Sequence, residues 1–215
     1  TEPALALARQ NQIDLEKLPM DRLITTGVIQ GLIKALQGSA IKLPWVSKAA
    51  NPNGRMLVYG AGGHGRSLVE LLRLLPGYQV EGFVDDGINR HDSQLGLKIL
   101  GGRNALQQLF NQGITLAVNG VGGISNPAMR LDIFELLNHI GFFCPKVIHP
   151  TAILETTAFL ADGVQVFPLA YVGSQVRIGF GSIINTGVII SHDCVLGELV
   201  NLSPGATLAG GVEVG

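Results

Sequence analysis

From Ile148 onward, every sixth residue of this chain is aliphatic: Ile148, Leu154, Leu160, Val166, Val172, Ile178, Ile184, Ile190, Leu196, Leu202, Leu208 and Val214. Four places after each, as far as the chain runs, stands a small residue: Ala152, Ala158, Val164, Ala170, Val176, Ser182, Val188, Cys194, Val200, Ala206 and Val212. With roughly 0.3 of positions aliphatic by chance, twelve in a row would arise about once in a million trials, so the period is a structural constraint. It matches neither the helical period nor the two-residue period of a plain strand. A unit of six with one large and one small inward side chain describes a flat side followed by a corner. Three sides close a triangular coil of about 18 residues, and coils stack about 4.8 Å apart, as neighbouring strands do. Gly163, Gly173, Gly179, Gly181, Gly187, Gly197, Gly205 and Gly211 are read as the tight corners, a use that helps explain 29 glycines in 215 residues. Residues 147–215 are therefore predicted to form a parallel β-helix of hexapeptide repeats.

Upstream the pattern changes twice. Within 55–146, apolar runs at 56–59, 79–84, 97–100 and 114–118 alternate with helical spacing at 67–75, 104–110 and 127–140. Strands separated by helices imply a parallel sheet covered on its faces. Residues 1–40 read as a small helical domain, with Pro3 in a first turn, Thr25 and Thr26 as N-caps, and Val28, Ile29, Leu32, Ile33 and Leu36 on one face. Residues 41–54 hold two prolines and no periodicity, a linker in which Trp45 is read as a plug against a neighbouring domain. The predicted class is mixed: helical, then α/β, then β-helix.

Composition excludes several functions. A hydrophobic content of 47% rules out general disorder. With 15 Lys and Arg against 16 Asp and Glu, the chain has no long-range attraction for nucleic acid. No apolar run approaches the roughly 18 residues of a membrane span, and no secretory pattern is read at the start. Cys144 and Cys194 make no disulfide framework, so a cytoplasmic setting is expected.

Two places carry chemistry. Gly60, Gly62 and Gly65 satisfy GxGxxG between a strand and a helix, where backbone N–H groups can cradle phosphate. The α/β segment spans roughly 90 residues, one mononucleotide-binding half rather than the two a dinucleotide needs, so the pyrophosphate of a nucleotide-sugar fits better. His192 stands two places after the inward Ile190, at a corner, so its ring is expected to project outward, and a neutral imidazole can accept a proton. Gly210 lies one full coil beyond His192; without a side chain it leaves open space beside that corner and a free N–H to donate. Cys194 occupies a small inward position and is read as structural. No cluster has metal-ligand spacing, and none is expected.

The segments His149-Pro150, Ile184-Asn185-Thr186-Gly187, Ser191-His192-Asp193-Cys194, Leu196-Gly197 and Ser203-Pro204-Gly205-Ala206 resemble the hexapeptide-repeat acyltransferases. Together with the GAGGHG loop and the pair Asp85-Asp86, they resemble the sugar acetyltransferase group that includes UDP-amino-sugar N-acetyltransferases and sialic acid O-acetyltransferases. The resemblance implies a left-handed coil, a Rossmann-like nucleotide-sugar domain, and a homotrimer with active sites between neighbouring coils. It implies acetyl-CoA as donor, touching Asn201 and Gly210, with His192 as general base and Asp193 raising its basicity. Gly63, His64 and Gly65 would hold the nucleotide-sugar, Asp85 and Asp86 its base or ribose, and Gly101 would help. His64 ranks behind His192 as a base because it would sit with the phosphates. The expected reaction acetylates the 4-amine of a UDP-amino-sugar. The rivals are an O-acetyltransferase acting on sialic acid or a related glycan, and a non-catalytic assembly subunit.

The family usually continues with further coils, whereas this sequence stops mid-coil at Val214-Gly215; a shortened chain or a minimal member is expected. Near the start, residues 4–9, 13–18, Ile24-Thr25-Thr26 and Val28 resemble the peripheral-subunit-binding domain of 2-oxo acid dehydrogenase complexes. That likeness implies a protein partner docking on residues 1–40; a helical cap on the chain's own trimer is the alternative.

Overall fold

Alternation of strand and helix is what the chain adopts from Gly54 to Ile140, and the six-residue period takes over from Val147. The computed structural model describes residues 54–88, 93–122 and 127–215. The expected N-terminal helical domain, the linker and Trp45 lie outside the described residues.

The first part is a five-stranded sheet. Its strands are β1 (Gly54–Tyr59), β2 (Tyr78–Val84), β3 (Ser93–Gln94), β4 (Leu97–Gly101) and β5 (Leu116–Asn119), in the order β3-β4-β2-β1-β5. All pairings are parallel except the short β3–β4 hairpin. Three α-helices accompany it: α1 (Gly63–Leu72), α2 (Leu106–Asn111, entered through a 3-10 turn at Arg103–Ala105) and α3 (Pro127–Ile140). The largest departure from expectation is at α1, which begins at Gly63 rather than near Ser67. The second half of the glycine motif is therefore helical, and its close approach to the loop needs glycine at one place: a Cβ on Gly65 would lie 1.9 Å from the Gly60 carbonyl oxygen.

The second part consists of two-residue strands stacked in three parallel four-stranded sheets. Register follows the period. Ile148 pairs with Val166, Val166 with Ile184, and Ile184 with Leu202 on one side. Leu154, Val172, Ile190 and Leu208 form the second ladder, and Leu160, Ile178, Leu196 and Val214 the third. These aliphatic residues and the small residues between them form one apolar core, joined by the fully buried Ser182. Ser182 is satisfied by accepting from Val200 N at 3.1 Å and donating to Gly197 O at 3.0 Å.

The corners differ in part from the glycine reading. Left-handed backbone recurs at every sixth residue from 163 to 211, yet Leu169, Gln175, Asp193 and Leu199 hold four of these places and glycines the other five. Gly173, Gly179 and Gly197 are not left-handed. Gly179 is needed for stacking instead, since a Cβ there would meet the Gly197 backbone at 2.5 Å.

The first side of the coil packs against the α/β part. Val147, Phe167 and Ile183 share one apolar cluster with Met56, Leu68, Leu72 and Phe83. Phe180 meets Phe134 of α3 edge-on, with centroids 4.7 Å apart. The other two sides turn Ile153, Tyr171 and Ile189, and Phe159, Arg177 and Val195, outward.

Candidate active site

The glycine loop lies at the carboxyl end of β1. Gly62 caps α1 with no side-chain hydrogen bond, so among the described residues the first-turn N–H groups of Gly63, His64 and Gly65 are left for an outside acceptor. A Cβ on Gly62 or Gly63 would meet nothing within 4 Å, so this rim is open. Arg66, one residue further on, donates to Ala61 O at 3.2 Å and adds positive charge beside the loop.

Asp85 and Asp86 follow β2 at the same end of the sheet. The Asp85 carboxylate accepts from Ala61 N at 2.8 Å and from Gly87 N at 2.8 Å, so it braces the glycine loop from below. Asp86 accepts from the Tyr59 hydroxyl at 2.6 Å, from Arg103 N at 2.7 Å and from Arg103 Nε at 3.1 Å. Burial, helped by this carboxylate, pushes the Tyr59 phenol up to about 12. Gly101 presents its carbonyl to Asp85 N at 2.9 Å. The structure thus gathers Gly60, Gly62, Gly63, His64, Gly65, Asp85, Asp86 and Gly101 at the carboxyl ends of β1, β2 and β4. Beside them, a cleft of about 380 Å³ is lined by Arg103, Met129 and Asp132.

The second group lies on the coil. His192 and Asp193 stand at the corner between the second and third sides, and their side chains are exposed, at 67% and 62%. His192 Nδ1 lies 2.8 Å from Asp193 Oδ2. Neighbouring side chains usually diverge; here the left-handed φ of 60° at Asp193 folds its carboxylate back onto the ring. With Nδ1–H donating to the carboxylate, Nε2 carries the lone pair and faces outward as a proton acceptor. Gly210 sits against the ring: a Cβ there would come 2.6 Å from Cε1 and 2.7 Å from Nε2.

Other expected residues fall elsewhere. Asn201 lies on the first side of the coil, where its Oδ1 accepts from Asn185 Nδ2 at 2.9 Å, away from His192 and Gly210. The His192 corner is opposite the side on which the α/β part packs, so one chain does not bring the two groups together. Cys194 is buried and bonded to Ala209 O at 3.1 Å, a structural role. Among the described residues, no group of three or more His, Cys, Asp or Glu could hold a metal ion. No helix among them is long and apolar enough to cross a membrane.

The sequence reading missed a buried polar bridge between the two parts. His64 Nε2 lies 2.7 Å from Gln165 Oε1, and Gln165 Nε2 donates to Asn119 O at 2.8 Å. Arg130 of α3, almost fully buried, donates to Val121 O and Gly181 O. Only the burial of Gln165 on an otherwise outward register distinguishes it, and that is a property of the fold.

An outward histidine clamped on a hexapeptide coil places the chain in the class of hexapeptide-repeat acyltransferases, and comparison with known proteins narrows the class. Residues 55–137 match the PglD N-terminal domain. A histidine-to-alanine mutant of GDP-perosamine N-acetyltransferase from Caulobacter crescentus, in complex with CoA and GDP-perosamine, is 31% identical, with TM-score 0.69 over 74% of this chain and 73% of that one. The acetyltransferase domain of PglB from Neisseria gonorrhoeae, in complex with acetyl coenzyme A, is 32% identical, with TM-score 0.67 over 75% of this chain and 76% of that one. An acyl-[acyl-carrier-protein]–UDP-N-acetylglucosamine O-acyltransferase from Saccharophagus degradans is 46% identical over 50 residues, 23% of this chain and only 19% of that protein. The chain belongs to the hexapeptide-repeat sugar acetyltransferases.

Proposed function

We propose that this chain transfers acetyl from acetyl-CoA to the amine of a nucleotide-activated amino-sugar, with a UDP-4-amino-sugar as the acceptor. The observation that carries this reading is the His192–Asp193 pair with Gly210 pressed against its ring. As the sugar amine adds to the thioester carbonyl, His192 Nε2 accepts the amine proton. The Asp193 carboxylate holds the ring's tautomer and stabilises the imidazolium. The Gly210 N–H, which donates to no acceptor among the described residues, is available to the developing oxyanion. The C–N bond forms in that addition; the tetrahedral intermediate then collapses, the C–S bond breaks, and the proton on His192 passes to the departing thiolate.

In this reading the α/β part is a Rossmann-like nucleotide-sugar domain spanning 55–146 and the coil is left-handed. The uncapped start of α1 receives the pyrophosphate, and Arg66 adds charge to it. Because the two groups of residues lie on different faces, the complete site is built between copies in a homotrimer. Ile153, Ile189 and Phe159, exposed at 63%, 44% and 60%, supply apolar faces for that packing. Coenzyme A running between coils would meet Gly210 of one copy and Asn201 of another. A second reading, a GDP-activated acceptor, is favoured by the GDP-perosamine bound to a relative.

A thiol-release assay with acetyl-CoA against UDP- and GDP-4-amino-sugars, and against free sialic acid, tests the proposal. Release is expected with a nucleotide-linked 4-amino-sugar and not with sialic acid. Folded protein that releases thiol with none of them would refute it.

A further inference from the structure

A glutamine of the coil contacts the histidine in the glycine loop, although 101 residues separate the two in sequence. Gln165 is 1% exposed, and its amide has one orientation that fits. Its Nε2 faces the carbonyl oxygen of Asn119, so that end must be the donor, and Oε1 must be the end toward His64. The carbonyl of Asn119 is itself fixed, because the Asn119 side chain donates to Arg130 O at 2.9 Å and accepts from Val121 N at 3.1 Å. An amide oxygen 2.7 Å from His64 Nε2 requires a proton on that nitrogen. In the neutral ring, Nδ1 is then a bare acceptor.

Among the described residues Nδ1 makes no hydrogen bond, and Arg130 Nε is the one buried side-chain nitrogen or oxygen left without a partner. The ring is held in place by Phe167, with centroids 5.3 Å apart, and by Gly122, whose Cβ would lie 2.5 Å from His64 Cγ. The groups acting on it are neutral Gln165 from the coil and the Arg130 cation from α3; neither is an acid that would favour an imidazolium. Burial, the larger effect, holds the ring's pKa below 6.5; Gln165 opposes this and Arg130 adds to it.

We propose that Gln165 is a positioning residue that locks His64 in its Nε2–H tautomer, so that Nδ1 accepts a hydrogen bond from a hydroxyl or amine of the nucleotide-sugar instead of donating one to a phosphate. This rests on the nucleotide-sugar reading of the glycine loop, and it reassigns His64 within that loop. The phosphates are left to the backbone N–H groups of α1 and to Arg66. The pairing discriminates by hydrogen-bond polarity: an acceptor rejects a ligand oxygen that has no proton.

The test uses the full chain labelled with 15N. Long-range proton–nitrogen spectra are expected to show His64 with a protonated Nε2 and an unprotonated Nδ1 from about pH 8 down to about pH 7. A doubly protonated ring or the Nδ1–H tautomer over that range would overturn the proposal, whatever the enzyme's substrate proves to be. In Gln165→Glu, a carboxylate beside Nε2 stabilises the imidazolium and turns Nδ1 into a donor. The expected result is a KM for a UDP-4-amino-sugar raised about tenfold, rising further as pH falls, with KM for acetyl-CoA unchanged. Titration with UDP alone identifies the donor: weakened binding assigns it to the ribose, and unchanged binding to the hexose. Equal KM for the amino-sugar in both proteins, with the glutamate variant shown to be folded, would also overturn the proposal.

Discussion

Gly210→Ala is the sharpest perturbation available at the proposed catalytic corner around His192. The added Cβ would stand 2.6 Å from His192 Cε1, 2.7 Å from Nε2 and 3.1 Å from Nδ1. Ordinary contacts lie at about 3.5–4.0 Å, so the imidazole must withdraw by about 1 Å. It has room to do so, being 67% exposed, but the move pulls Nδ1 off Asp193, now 2.8 Å away. A displacement of about 1 Å at a reacting group costs about 100-fold in rate, equivalent to about 2.7 kcal/mol of transition-state stabilisation. Stability should change by less than about 0.5 kcal/mol, because Gly210 is not left-handed and the group that yields is at the surface. Thiol release measured beside a denaturant melt separates the two effects. A variant with wild-type kcat, or one whose lost activity follows unfolding, would refute the reasoning.

Asp193→Gly relieves the left-handed backbone while removing the carboxylate, so stability should hold or rise by up to about 1 kcal/mol as kcat falls at least about tenfold. A chemical melt paired with kinetics checks both halves. Ile184→Ala empties a fully buried rung between Val166 and Leu202 and should cost about 2–5 kcal/mol in the same melt. His64 supplies a pH dependence: its folded pKa lies below 6.5, so the unfolded chain binds more protons in the window just beneath that value. Its contribution to stability is therefore complete above pH 6.5 and lost as pH falls through the folded pKa. Melts across that range should show the slope, and His64→Asn should remove it.

The coil was legible because its signal is a side-chain period, and inward positions admit only side chains of the right size and polarity. The corners were half legible. Glycine announces a left-handed residue at Gly187 or Gly205, but Leu169, Gln175, Asp193 and Leu199 adopt the same backbone because the neighbouring coils impose it. That imposed geometry is what joins Asp193 to His192, a pairing that adjacency in sequence does not convey. The Gln165–His64 bridge was invisible for a related reason: its members come from different parts of the chain and meet only after both have folded. Asp85 and Asp86 were found by motif, yet their hydrogen bonds to Ala61, Tyr59 and Arg103 show how much of an acidic pair can be spent on holding one end of a sheet in shape.

The proposed role of His192 as base is tested most directly by acetyl transfer in His192→Ala, measured as kcat/KM with a nucleotide-linked 4-amino-sugar while acetyl-CoA binding is followed by calorimetry. Loss of turnover by about 10²–10⁴-fold with donor binding intact is the predicted result. Turnover near that of the unaltered chain would contradict it.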